Sequence, residues 1–235
     1  MSDESLTYRS SGVDVEENLE ANRRIQAYAQ DTYTEQVLTR GGLFAGAVAL
    51  PAGPAGGGAR FLTGRLLTAE ADSPEQTCLS IARSCRSLVE SPAVPVAFLD
   101  YLAADRLDAL RAADLVGLFS RDFAAPPRIP IIGGETAEMP DVFERGAWEV
   151  VGALFAAAET KAERQEGVEL GGLADMEQPA LVFSMDGVGT KTKIGVAAGR
   201  TGGLALDLIH HSLDDILCQG ARGVGFMLYL GCSGR

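Results

Sequence analysis

The sequence predicts an α+β fold: a mixed, largely antiparallel sheet covered by helices on one face. Three observations lead there. Short apolar runs of strand length recur along the 235 residues, at 43–50, 94–102, 128–132, 148–158, 179–183 and 224–230. Stretches of helical spacing are interleaved with them, at 14–29, 73–90, 105–119 and 203–219. Glycine- and proline-rich breaks, above all Pro51-Ala-Gly-Pro-Ala-Gly-Gly-Gly-Ala59, separate the units. Strands and long helices mixed in this way build layers, with helices packed on a sheet.

Each element has a local cause. Asp14 can cap the helix 14–29, and Glu17 three residues later fits a capping box. Leu43 to Leu50 reads as a strand after Gly41-Gly42, and residues 60–70 as another. Ser73-Pro74 is an N-cap followed by proline at the first helical position. Cys78, Ile81, Ala82, Cys85, Leu88 and Val89 then keep helical spacing to Glu90. Val94 to Leu102 is a strand with Asp100 near its end, and 105–119 the next helix. Pro126-Pro127 divides that helix from the strand Arg128–Ile132. Trp148 to Ala158 is a strand, and 160–175 a charged, glycine-rich surface loop. Pro179 to Phe183 is a short buried strand, followed by a glycine-rich loop, the helix 203–219 and a last strand, Val224 to Leu230.

Composition narrows the function. A net charge of −12 argues against a general nucleic-acid binder, which would present a basic face. No apolar run reaches about 18 residues, so no membrane span is expected. Met1-Ser-Asp-Glu-Ser does not resemble a signal peptide, and a cytoplasmic location is expected. The cysteines Cys78, Cys85, Cys218 and Cys232 show no metal-binding spacing, and Cys78 and Cys85 share a helix face as buried thiols.

The chemistry concentrates in Ser184-Met-Asp186-Gly187-Val-Gly189-Thr190-Lys191-Thr-Lys193. Gly187 and Gly189 permit positive φ and let an anion approach the main chain. Lys191 and Lys193 supply cations, Thr190 a hydroxyl, and Asp186 a hard oxygen ligand for Mg²⁺. Taken alone, a glycine turn with exposed lysines is the simpler reading. Two further acidic stretches stand beside it. One is Ile131-Ile-Gly133-Gly134-Glu135-Thr136-Ala-Glu138-Met-Pro140, read as a strand-to-loop junction. The other is the helix 203–219, where Asp207, His211 and Asp215 recur every four residues on one face. Leu206, Leu213, Ile216 and Leu217 lie on its opposite side. An acidic stripe of that kind is usually only a solvated face.

Asp186-Gly-Val-Gly-Thr-Lys191, Gly133-Gly-Glu-Thr-Ala-Glu-Met-Pro140 and Phe98-Leu-Asp-Tyr-Leu-Ala103 together resemble the aminoimidazole ribonucleotide synthetase family, the phosphoribosylformylglycinamidine cyclo-ligases of purine synthesis. Tyr8-Arg-Ser-Ser-Gly-Val-Asp14 and Gly41-Gly-Leu-Phe-Ala-Gly46 resemble that family's opening segments. The resemblance covers the N-terminal, ATP-binding half of the family. It implies that Asp186, Asp100, Asp207 and Asp215 hold Mg²⁺. Gly187, Gly189, Thr190, Lys191 and Lys193 would cradle phosphates, and Gly133, Gly134, Glu135, Thr136 and Glu138 would meet the nucleotide. It also implies a half-barrel sheet that pairs in a homodimer, and formylglycinamidine ribonucleotide as the small-molecule substrate. His210 and His211 match no motif histidine, so a structural role is expected for them. No stretch matches the Ser-Asn-Gly-Tyr-Ser signature of the family's C-terminal domain. A related kinase of the thiamine-monophosphate or selenophosphate type, or a non-catalytic scaffold, remains open.

The motif order departs from the family. The glycine-rich loop and its helix precede Phe-Leu-Asp-Tyr there and follow it here, so a block of about 178–222 reads as displaced. The expected organisation is an N-terminal segment 1–51, a linker 52–59, and an ATP-binding domain 60–235 containing that block. Residues 77–101 and 203–230 echo each other as helix, turn, strand, with Arg86-Ser87 where Asp214-Asp215 would stand. Residues 52–93 are therefore expected to be a structural stand-in, with the functional copy at the end.

Overall fold

A computed structural model describes Thr7 and residues 13–39, 45–50, 61–69, 71–89, 93–140, 142–158, 167–170, 173, 176–189 and 191–231. The linker 52–59, Thr190 and Cys232 lie outside the described residues. The elements in order are α1 (Val15–Asp31), β1 (Gly46–Ala49), β2 (Phe61–Leu67), α2 (Pro74–Val89), β3 (Val94–Ala104) and α3 (Ala109–Phe123). They continue as β4 (Ile131–Glu138), β5 (Trp148–Ala158), β6 (Gly167–Glu169), β7 (Ala180–Phe183), α4 (Lys191–Ala197) and α5 (Thr201–Leu217).

The α+β expectation holds. A five-stranded sheet runs in the order β4-β3-β5-β2-β6, and β1 and β7 form a separate pair. Among the described residues only β3 and β4 pair in parallel; the other strand pairs are antiparallel. Alternation along β3 assigns its two faces. Phe98 and Leu102 point to the helix layer, where they meet Cys78, Ile81 and Cys85 of α2 and Leu115, Phe119 and Phe123 of α3. Phe98 sits edge-on to Phe123, with ring centroids 4.9 Å apart. Full burial of each such side chain contributes about 1.5–3 kcal/mol. Ala97 and Leu99 point to the opposite face, which is covered by Val48 of β1 and Leu181 and Phe183 of β7.

β7 opens the block read as displaced, and it pairs with β1 in the register Gly46↔Phe183 to Ala49↔Ala180. The Leu50 N–H extends the pairing by donating to the Pro179 carbonyl at 2.9 Å. The loop after β7 therefore starts beside the N-terminal segment, although well over a hundred residues of chain separate them. Arg86 of α2 shows what the first copy does instead. Its Nε meets Asp122 Oδ1 at 2.7 Å and its Nη1 donates to the Pro127 carbonyl at 2.6 Å, tying α2 to the end of α3.

Five sequence expectations need correction: the stretch 160–175, expected as a surface loop, contains β6, which pairs with β2, and four others follow. Glu17 completes no capping box: Asp14 caps α1 by accepting from the Glu16 and Glu17 N–H groups, while Glu17 Oε1 accepts from Ala109 N at 2.8 Å. Glu17 thus satisfies a free donor in the first turn of α3 instead of its own helix. Gly133 to Glu138 is not a loop but most of β4, because β3 offers a parallel partner from Phe98 to Ala104. Lys191 and Lys193 lie on a short helix, α4, which packs through Gly195 against Leu204 of α5; a Cβ at Gly195 would come within 2.4 Å of Leu204 Cδ1. Residues 224–230 form no strand. β5 and β2 already have neighbours on both edges, so the segment crosses their face, anchored by Met227 beside Gly64 and by Tyr229 Oη donating to Glu149 Oε1 at 2.6 Å.

Candidate functional site

The site is built where the β7 loop meets α5, on the sheet face away from α1–α3. The loop turns at Gly189, whose φ of 74° is readily adopted only by glycine. Gly187 does not use a positive φ, contrary to the sequence reading. Instead its N–H donates to Asp186 Oδ1 at 2.6 Å, which fixes one oxygen of that carboxylate. The other, Oδ2, lies 2.8 Å from His211 Nε2.

Helix α5 presents Asp207, His211 and Asp215 on the face turned to this loop, as their spacing predicts. Asp215 is the one buried residue of α5, 9% exposed, and its Oδ2 accepts from Ser184 Oγ at 2.6 Å. One ligand atom each from Asp186, His211 and Asp215 lies within 4.8 Å of the others. Asp207 is engaged elsewhere: Lys191 Nζ pairs with its Oδ2 at 3.0 Å, both side chains about half exposed. Leu206 and Leu217 on the far side of α5 are 59% and 60% exposed, so the helix buries polar atoms in preference to its apolar ones.

Glu135 approaches from β4. Burial, then the negative charges of Asp186, Asp215 and Asp100, push its carboxyl up to about 8. Tyr101, its register partner on β3, is pushed up to about 12 by burial and by Glu149 and Glu135. Asp100 is not brought into the cluster. It alternates with Phe98 and Leu102 on the helix-covered face, 3% exposed, and its charge helps burial push the Cys78 thiol up to about 12. Burial raises Asp100 itself to about 7. Gly134 lies directly against it: a Cβ there would come within 2.4 Å of the Asp100 carbonyl and 2.8 Å of its Oδ1.

The remaining predicted residues have specific places. Glu138 is a backbone clasp, accepting from Asp14 N at 2.8 Å and from Leu107 N at 3.1 Å. Gly133 faces Leu99, and the Thr136 carbonyl accepts from Asn18 Nδ2 at 3.3 Å. Lys193 Nζ donates to the Pro140 carbonyl at 2.5 Å, which ties α4 to the end of β4. Sequence reasoning missed Ser184 and Tyr101; it placed His211 on the helix face of Asp215 but expected a structural role for it. For Tyr101 the signal was strand alternation next to Asp100.

Chemically, Asp186 and Asp215 place negative charge beside the buried Glu135, and among the described residues no lysine or arginine pairs with these two aspartates directly. A divalent cation resolves such repulsion, and hard oxygen donors suit one. Two carboxylates already oriented by Ser184 and Gly187 fit a cation site. Lys191 and Lys193 follow the loop on α4, engaged with Asp207 and the Pro140 carbonyl.

A family profile described as AIR synthase related protein, N-terminal domain, matches residues 171–235, which include the glycine-rich loop, α4 and α5. Phosphoribosylformylglycinamidine cyclo-ligase of Clostridium perfringens is 33% identical over 156 residues, covering 63% of this chain and 46% of that protein. The enzyme of the same name from Synechococcus sp. is 31% identical over 160 residues, covering 66% and 46%. That of Trichlorobacter lovleyi is 29% identical over 170 residues, covering 68% and 47%. The chain thus spans about half the length of the curated relatives it matches. Among solved structures, hydrogenase maturation protein HypE in complex with ATP gives a TM-score of 0.39 at 11% identity, covering 61% of this chain and 41% of that one.

Proposed function

We propose, for a chain that belongs to the AIR synthase related family, that the cluster of Glu135, Asp186 and Asp215 binds a divalent cation with ATP in support of a cyclo-ligase reaction. The observation that carries this reading is the convergence of Asp186 and Asp215, from the β7 loop and α5, whose carboxylate oxygens lie within 4.8 Å of each other, with Glu135 of β4 near enough to feel both charges. Formylglycinamidine ribonucleotide is the proposed substrate. ATP phosphorylates its amide oxygen, an internal nitrogen displaces the phosphate, and the products are aminoimidazole ribonucleotide, ADP and phosphate. The cation would neutralise charge on the phosphoryl groups.

This chain's own residues bind and orient. Asp186 and Asp215 would hold the cation, with Glu135 beside them, and the cation would supply charge neutralisation for the phosphates. Lys191 would exchange its exposed partner Asp207 for phosphate oxygens, while Lys193 holds α4 against the end of β4. Such positioning is most of what phosphoryl transfer asks of a protein. Asp100 and Glu138 support the scaffold, and we assign them no ligand. A homodimer belongs to the proposal, and light scattering tests it.

Thermal melts with ATP alone, Mg²⁺ alone and both test the binding. A ligand at a hundredfold excess over Kd adds about 2.7 kcal/mol to stability. For a chain of this length that is a rise of roughly 5–10 °C in Tm. Both ligands together should give that rise and Asp186→Asn should abolish it. No shift at millimolar concentrations of both would refute the reading.

A further inference from the structure

We infer that the site is a mixed imidazole–carboxylate centre, in which His211 Nε2 ligates the cation beside Asp186 and Asp215 and selects Co²⁺ or Zn²⁺ over Mg²⁺. This rests on the cation site proposed above and adds a ligand and a selectivity to it.

The argument starts from the donors. His211 Nε2 and Asp186 Oδ2 are 2.8 Å apart, and an Asp215 oxygen lies within 4.8 Å of both. Ligands bound at about 2.0–2.2 Å to one ion stand roughly 3–4 Å from each other, so little movement converts the cluster into a coordination shell. The two carboxylates are each oriented by one outer hydrogen bond, from Gly187 N–H and from Ser184 Oγ. Outer partners of that kind typically fix ligands at metal centres. His211 and Asp215 are one helical turn apart on α5, which gives them a common, rigid support. The other acid of that face, Asp207, is taken by Lys191.

His211 has no packing role that would explain its place, since its side chain is 50% exposed. The alternative is a plain ion pair between imidazolium and Asp186. The two differ in what they do to a cation: an ion pair competes with it, whereas a ligand recruits it. Carboxylate and water shells suit Mg²⁺, while an imidazole nitrogen favours Zn²⁺, Co²⁺ and their neighbours.

The test uses the whole chain at one fixed pH, with Zn²⁺, Co²⁺, Mn²⁺ and Mg²⁺ titrated separately by calorimetry and the Co²⁺ complex also read by visible absorption. Wild type should bind Zn²⁺ and Co²⁺ more tightly than Mg²⁺. His211→Ala should weaken Zn²⁺ and Co²⁺ by at least about tenfold, shift the Co²⁺ spectrum, and leave Mg²⁺ nearly unchanged. His210→Ala should change none of these. If His211→Ala leaves Co²⁺ and Zn²⁺ affinity and spectrum unaltered, or tightens Mg²⁺ by freeing Asp186, His211 is only an ion-pair partner and the inference is overturned. In that case Mg²⁺ binding abolished by Asp186→Asn would leave the cation site itself standing. If wild type binds none of the four ions, both the inference and the cation site fall together.

Discussion

Glu135 makes the stability of the metal-free protein depend on pH in a direction opposite to ordinary paired carboxylates. Its carboxyl rises from the reference value of 4.5 to about 8 in the folded chain. Between those values the folded state holds a proton that the unfolded state has lost. Stability is therefore fully present below the unfolded value and is lost as pH rises through about 8. Each pH unit in that window costs about 1.4 kcal/mol, so a rise from pH 5 to pH 8 costs on the order of 4 kcal/mol. Urea unfolding of wild type and Glu135→Gln at several pH values isolates this contribution, because other groups titrate alike in both. The difference between the two curves should move by about that amount, with the glutamine variant gaining on wild type as pH rises. Saturating divalent cation should flatten the difference, since it favours the ionised carboxylate. Parallel curves across pH 5–8 would refute the reasoning, and with it the claim that burial, aided by the charges of Asp186 and Asp215, raises Glu135.

Two substitutions probe the backbone that carries the site. Gly134→Ala places a methyl 2.4 Å from the Asp100 carbonyl of the neighbouring strand, and should cost about 1–3 kcal/mol by overpacking; a wild-type urea midpoint would contradict the β3–β4 register. Gly189→Ala should cost about 1–2 kcal/mol, because its φ of 74° disfavours a side chain. Gly187→Ala, whose nearest neighbour would be 4.0 Å away, should be close to neutral by the same thermal melts.

How far the sequence could be read differs from element to element. The helix α2 was legible to within a residue, because Ser73-Pro74 marks its start and Cys78, Ile81 and Cys85 form one apolar stripe. The strand β5 was legible as an apolar run interrupted only by Glu149. Gly133 to Glu138 was misread because paired glycines and acids are turn chemistry in isolation, and only the partner strand β3 makes them a strand. Val224 to Leu230 has strand composition, but pairing is decided by which sheet edges are open, and a single sequence does not show that. Within the site, Asp186 and Asp215 were legible from residue type and spacing. Asp100 was not, since its motif carries two adjacent polar residues and alternation sends Tyr101, not Asp100, to the face of the cluster. Glu17 and Glu138 read as local or ligand-facing acids, yet each satisfies backbone donors of a distant segment, a long-range contact that no local pattern encodes.

The central claim is that Glu135, Asp186 and Asp215 form one cation and nucleotide site. Its most direct test is a crystal structure with Mn²⁺ and a non-hydrolysable ATP analogue, reading the anomalous signal of the ion. The account predicts an anomalous peak at bonding distance from Asp186 and Asp215, with the triphosphate between that peak and Lys191. A peak elsewhere on the protein, with those carboxylates unliganded, would contradict it.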